Sequence, residues 1–179
     1  CLIPLINKDE KEAIKIATET IDNFQNIYQN KWLNMMRDKL GLFGSDKEDL
    51  KLINDLLNWM EINQADFTNT FCHLMKIKVD NYQIYKNHDF VNWSNRWQQR
   101  QSINGNTIKK SLELMKITNP TLIPRNHKVE EALSAATEGN YKILNELLYI
   151  LKKPYDFKEN LGHYYLPSKN KNYQTFCGT

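Results

Sequence analysis

Glycine is scarce and solitary in this chain: the six glycines stand singly at Gly41, Gly44, Gly105, Gly139, Gly162 and Gly178, and none forms a GxG pair ahead of a helix. A phosphate cradle needs consecutive backbone N–H groups with no Cβ in the way, so no nucleotide loop is predicted within these residues. No apolar run approaches the roughly 20 residues that cross a bilayer, which excludes a membrane-spanning helix. Three cysteines, an odd count without metal spacing, exclude a disulfide framework. The four histidines, His73, His88, His127 and His163, are scattered, with no pair at the helical spacing that puts two imidazoles on one metal. Basic stretches are no longer than a pair such as Lys152-Lys153, and the aromatics do not interleave with them, which argues against nucleic acid as a partner. The chain opens at Cys1 in mid-pattern, with no initiator Met and no basic segment before an apolar one. This predicts a fragment without a signal peptide.

What is present is the composition of a folded helical domain. Of the 179 residues, 41% are hydrophobic and 25% charged, and 24 basic against 21 acidic side chains leave a net charge of +3. That length buries one substantial core, and the interspersed signs read as solvated helix faces.

Helical periodicity runs through most of the chain. Ile14, Ala17, Ile21, Phe24, Tyr28, Trp32 and Met35 recur at steps of three and four, predicting a helix from Asp9 to Lys39 that Gly41 stops. Ser45 with Glu48 forms a capping-box pattern ahead of Leu50, Ile53, Leu56, Leu57 and Met60, predicting a helix over 46–62. Asp66 and Asp89 are candidate caps for two further helices, through Phe67, Phe71, Leu74 and Met75 and through Phe90, Trp93, Trp97 and Arg100. Asn104-Gly105 separates these from a helix over 107–117. After Pro120 and Pro124, Asn126 is the candidate cap of a helix with Val129, Leu133 and Ala136 on one face. Gly139 supplies a left-handed end, and Asn140 caps a helix striped by Ile143, Leu144, Leu147, Leu148 and Leu151 that Pro154 ends. The fold class is therefore all-α: a helical domain over 1–155 and an extended tail over 156–179, anchored by Tyr164, Tyr165, Tyr173 and Phe176 and ending Cys-Gly-Thr.

The order of several short motifs carries a resemblance. Asn119-Pro120, Pro124-Arg125-Asn126, Glu130-Glu131-Ala132-Leu133, Ala135-Ala136, Gly139-Asn140, Leu147-Leu148 and Pro154-Tyr155 follow a pattern that reads roughly NPxxIPRNHxVEEAxxAAxxGD, with Asn140 where Asp is usual. Upstream, Leu5-Ile6, Lys39-Leu40-Gly41-Leu42, Asp66-Phe67-Thr68 and the stretch from Trp93 to Arg100 are similar as well. The chain resembles the C-terminal portion of the selenoprotein O family over essentially its whole length. The resemblance implies a parent with a kinase-like fold that transfers AMP from ATP, with magnesium or manganese, to Ser, Thr or Tyr hydroxyls of proteins in the cytoplasm. The groups that hold nucleotide and metal in that family lie in a kinase-like domain upstream, and none has a counterpart here. No catalytic, cofactor-binding or metal-binding residue is therefore carried over. The implied partners are that N-terminal domain of the same chain and the parent's protein substrates.

Two clusters remain as candidates. Arg125, Asn126 and His127 put a planar cation, an amide and an imidazole at a helix start. They either contact an anionic group of the missing domain, or serve internally, with Asn126 as a cap and Arg125 paired to an acid within this domain. Cys177 sits two residues from the last residue, at the antepenultimate place that selenocysteine occupies in some members of the resembled family. The resemblance implies redox control through a disulfide to the kinase-like domain; the alternative is an inert reduced thiol. Cys72, inside an apolar pattern, reads as a buried small hydrophobe. A rival from another class is a free-standing helical interaction module with a groove lined by Trp59, Trp93 and Trp97. An independent small-molecule enzyme ranks last, because no acid, base and nucleophile converge.

Overall fold

A computed structural model describes residues 2–78, 82–103, 107–158 and 161–168. They are helical, with no β-strand among the described residues, in agreement with the all-α reading. The chain divides into two compact units, Cys1–Arg37 and Asp38–Thr179.

In the first unit a short helix, α1 (Ile3–Ile6), carries Pro4 in its first turn, where a missing N–H costs nothing. The Asp9 carboxylate then accepts the Glu12 N–H at 3.0 Å and opens α2 (Glu10–Lys39), whose first-turn acids suit the helix dipole. The row Ile21, Phe24 and Tyr28 that predicts this helix faces solvent along it.

The second unit begins at Asp38 in the last turn of α2, and Gly41, at φ +65°, follows the end of that helix. A side chain there would place its Cβ 2.6 Å from the Ser111 carbonyl oxygen, so the backbone approach itself requires glycine. Beyond it lies α3 (Asp49–Ile62). The Ser45–Glu48 capping box does not form: Glu48 stands at the cap position in helical conformation, without a side-chain cap bond. Asp46 Oδ1 accepts the Glu48 N–H at 2.8 Å, and Asp49 Oδ2 accepts the Asp46 N–H at 2.9 Å. Two acids whose carboxylates were already placed thus took over the role assigned to Ser45. Leu52, Ile53, Leu56, Trp59 and Met60 form the buried face, while Leu50 is exposed.

Asp66 caps α4 (Phe67–Leu74) as predicted, accepting the Asn69 N–H at 2.8 Å. A 3₁₀ turn at Tyr82–Lys86 leads into α5 (His88–Gln101). The cap of α5 is Asn87, which accepts from Asp89 and Phe90; Asp89 lies inside the first turn, where its charge complements the dipole. Trp93 and Trp97 of α5 pack into the core with Trp59, at 2%, 6% and 6% exposure. The Trp93 and Trp97 N–H groups donate at 2.8 Å to the carbonyls of Leu52 and Leu40 respectively. These indoles are largely buried, and their remaining edges reach two separate surface hollows, Trp59 and Trp93 in one and Trp97 in the other.

Thr107 caps α6 (Ile108–Thr118), accepting from Lys110 at 3.3 Å. An extended segment follows between Pro120 and Arg125, and the Pro154 carbonyl accepts both the Thr121 and the Leu122 N–H. Then α7 (Asn126–Thr137) and α8 (Lys142–Leu151) pack as a hairpin. Gly139 turns the corner at φ +83°, and the Asn140 N–H returns to the Ala135 carbonyl at 2.9 Å. The buried faces agree with the predicted ones at Leu147 and differ beside it: Ala132 and Ile150 are inside, while Leu133 and Leu148 are exposed. Short side chains let the two helices approach closely, so the alanine row takes the interface and displaces the leucine beside it. A short helix, α9 (Gly162–Tyr165), interrupts the segment after Tyr155, with Tyr164 and Tyr165 buried. Cys1, Asn104-Gly105, Tyr173, Phe176 and Cys177 lie outside the described residues.

Candidate functional site

Arg125 sits at the cap position of α7, one residue ahead of the predicted cap Asn126, and its side chain turns inward. Its Nη1 and Nη2 donate to the two carboxylate oxygens of Asp66 at 2.6 and 2.8 Å, a bidentate fork. Nη2 also reaches Asn69 Oδ1 at 3.2 Å and the Tyr165 carbonyl at 2.9 Å. Asn69 donates in turn to the Tyr165 carbonyl at 3.2 Å. One guanidinium therefore ties the start of α4, the start of α7 and α9 together. The pair is largely enclosed, with side-chain exposures of 11% and 17%, so its charge is spent within this unit.

Asn126 points to solvent and His127 is half-buried beside it. Burial first, then the positive charges of Lys128 and Arg125, hold the His127 imidazole below its ordinary value of 6.5, against an opposing pull from Glu131 and Glu130. The ring is neutral at pH 7 and presents one donor and one acceptor.

Two further polar nodes join residues far apart in the sequence. Arg100, on the buried side of α5, donates to Asp49 at 2.7 and 3.2 Å, to the Phe43 carbonyl at 3.2 Å and to the Gly44 carbonyl at 3.4 Å. Side-chain exposures of 8% and 0% make this a buried ion pair that also satisfies the loop before α3. An arginine in step with Trp93 and Trp97 on an apolar face was the available clue, since such a cation demands a buried acid. The second node is reciprocal: Lys39 Nζ donates to Asn119 Oδ1 at 3.3 Å, while Asn119 Nδ2 donates to the carbonyls of Lys39 and Met115 at 2.8 and 2.9 Å. Lys39 Nζ also lies over the rings of Phe67 and Phe71 at 5.7 and 5.3 Å. Burial lowers the pKa of this ammonium.

Cys72 is fully buried, its Sγ 4.0 Å from the Thr121 carbonyl oxygen, in the setting predicted for a small hydrophobe. One surface hollow is bounded by Lys76, Lys116, Lys158, Asp156, Tyr155 and Phe157, three cations with one acid and two aromatic rings. Among the described residues no three His, Cys, Asp or Glu side chains converge on a point that could hold a metal ion. No helix among them is long and apolar enough to cross a membrane.

The three nodes hold helices in place; they do not set a nucleophile beside a base. The described residues form an all-α fold. The comparisons give it a family. A family profile described as "Protein adenylyltransferase SelO" matches residues 2–152. The chain is 52% identical over 183 residues to "Protein nucleotidyltransferase YdiU" of Pelagibacter ubique (strain HTCC1062), covering all of this chain and 38% of that protein. Proteins of the same description from Nitrosococcus oceani and Bacillus cereus (strain ZK / E33L) are 43% and 41% identical over 181 residues, covering 99% of this chain and 37% of each. The chain belongs to the SelO/YdiU family, and it spans less than two fifths of the length of these relatives.

Proposed function

We propose that this chain is the C-terminal helical portion of a protein adenylyltransferase, which moves AMP from ATP to Ser, Thr or Tyr hydroxyls with magnesium or manganese. The observation that carries the reading is the match of the whole chain, from end to end, to under two fifths of relatives described as protein nucleotidyltransferases. The portion's own role is structural and regulatory: it supports a kinase-like domain of the same protein, which holds the nucleotide and meets the protein substrates. Asn126 and His127, outward at the first turn of α7 with Arg125 behind them, are the proposed contact with that domain. Cys177 is the proposed redox element, forming a disulfide with the kinase-like domain. A cytoplasmic setting accompanies this reading, since an odd number of cysteines with Cys72 buried suits a reducing compartment.

The test is transfer of labelled AMP to protein by the full-length parent and by residues 1–179 alone, each with magnesium or manganese, under reducing and oxidising conditions. Activity in the parent alone, altered by oxidation and no longer altered after Cys177→Ser, is the expected result. Transfer by residues 1–179 alone, or by neither protein, overturns the assignment.

A further inference from the structure

Along α2, Ile14, Ile21, Phe24, Tyr28 and Met35 are 48%, 72%, 64%, 58% and 44% exposed. At about 100° per residue their positions fall within a sector of roughly 80°, and at about 1.5 Å per residue they cover some 30 Å of helix. The Phe24 and Tyr28 rings stack at 6.2 Å between centroids, so the middle of the row is a continuous aromatic surface. Lys15, Glu19, Asn23, Asn26 and Asn30 occupy the other side and are exposed too. A helix that sorts apolar from polar side chains in this way is built to bury one face. A row of this length left open on a folded protein marks an interaction surface.

We infer that this face of α2 is a docking strip for the part of the protein that lies outside these 179 residues. The inference rests on the reading of the chain as one portion of a longer protein. Two observations choose that occupant. The relatives carry about three fifths of their length beyond the region matched here, and the family profile starts at residue 2, so α2 belongs to the shared portion. A second copy of the chain fits less well. The three-four seam of a coiled coil along this row passes through Ala17 and Lys31, placing a methyl and an ammonium where two helices need large apolar side chains. A broad surface on a larger body tolerates both, because Lys31 can turn its ammonium aside along its own stem.

The test uses the full-length protein with single cysteines introduced by Ile21→Cys, Phe24→Cys or Tyr28→Cys on the strip, and by Glu19→Cys or Asn23→Cys on the polar side. Maleimide labelling is followed site by site by mass spectrometry, and oligomeric state is measured at the same concentration. The expected result is a monomer in which strip positions label at least tenfold more slowly than polar-side positions. Equal rates overturn the inference. So does slow labelling confined to a dimer and relieved on dilution, which would make a second copy the occupant. Three strip positions guard against one variant failing to fold. AMP transfer by the unsubstituted protein separates the two readings: slow strip labelling without transfer refutes the proposed function alone, and fast labelling with full transfer refutes the docking strip alone.

Discussion

The two units bury their polar and apolar groups in opposite ways. Asp38–Thr179 encloses two arginine–aspartate pairs and the Trp59, Trp93 and Trp97 indoles, while Cys1–Arg37 leaves an isoleucine, a phenylalanine and a tyrosine of one helix face in water. One unit is held by charges that cannot be removed singly; the other carries surface awaiting cover. Amphipathic periodicity alone does not tell a core helix from a docking helix, since both have the same pattern and differ only in what is present to bury it.

The sharpest way to break the comparison is to remove one member of the Arg100–Asp49 pair. Arg100→Ala or Asp49→Ala leaves an uncompensated buried charge, and a loss of about 3–5 kcal/mol is expected from urea unfolding. Arg125→Ala should cost about 2–3 kcal/mol, since the Asp66 carboxylate stays partly wet. Arg125→Lys should recover less than half, because an ammonium cannot reproduce the fork. Gly41→Ala forces a side chain into left-handed backbone and onto the Ser111 carbonyl, for an expected loss of about 2 kcal/mol in thermal unfolding.

A milder effect is expected from pH. Burial lowers the pKa of His73, whose ring stacks on Tyr85 at 3.9 Å, and Lys76 and Lys78 share the hollow at its side. A base whose folded pKa lies below its unfolded value binds more protons when unfolded. Stability is therefore complete above pH 6.5 and falls as pH drops from there toward the folded pKa. His127 shifts in the same direction and adds to the slope. Melting temperature should decline on acidification through that window, and His73→Gln should flatten the decline.

The smallest effect sharpens the contrast. In residues 1–179, Phe24→Ala or Ile21→Ala should change unfolding free energy by less than about 0.5 kcal/mol, as for other exposed positions. In the full-length protein the same changes should cost measurably more.

Local chemistry was legible in the sequence where one residue settles it. Asp66 caps its helix, Gly41 ends α2 and Gly139 takes left-handed backbone, because each choice is made by the residue and its nearest N–H groups. Competition between neighbouring candidates was not legible. Asn87 displaced Asp89 as a cap, and Asp46 and Asp49 displaced Ser45, where two or three capable side chains lie within one turn and distant partners decide among them. On the α7–α8 hairpin the hydrophobicity pattern placed Leu147 inside but missed Ala132 and Ile150, which are buried while Leu133 and Leu148 are exposed. For the candidate site, the sequence left two roles open for Arg125; the partner Asp66 lies 59 residues earlier, and nothing local links them.

The anchoring of Tyr165 sets a radius. Its carbonyl is gripped by Arg125 and Asn69, and its hydroxyl exchanges hydrogen bonds with the Lys158 backbone, accepting from the N–H at 3.0 Å and donating to the carbonyl at 3.1 Å. Cys177 stands twelve residue steps along the chain from this fixed point. A fully extended leash of that length reaches about 40 Å. If Cys177 forms the disulfide proposed above, its partner thiol must lie inside that radius, so the grip on one carbonyl bounds where such a partner can be.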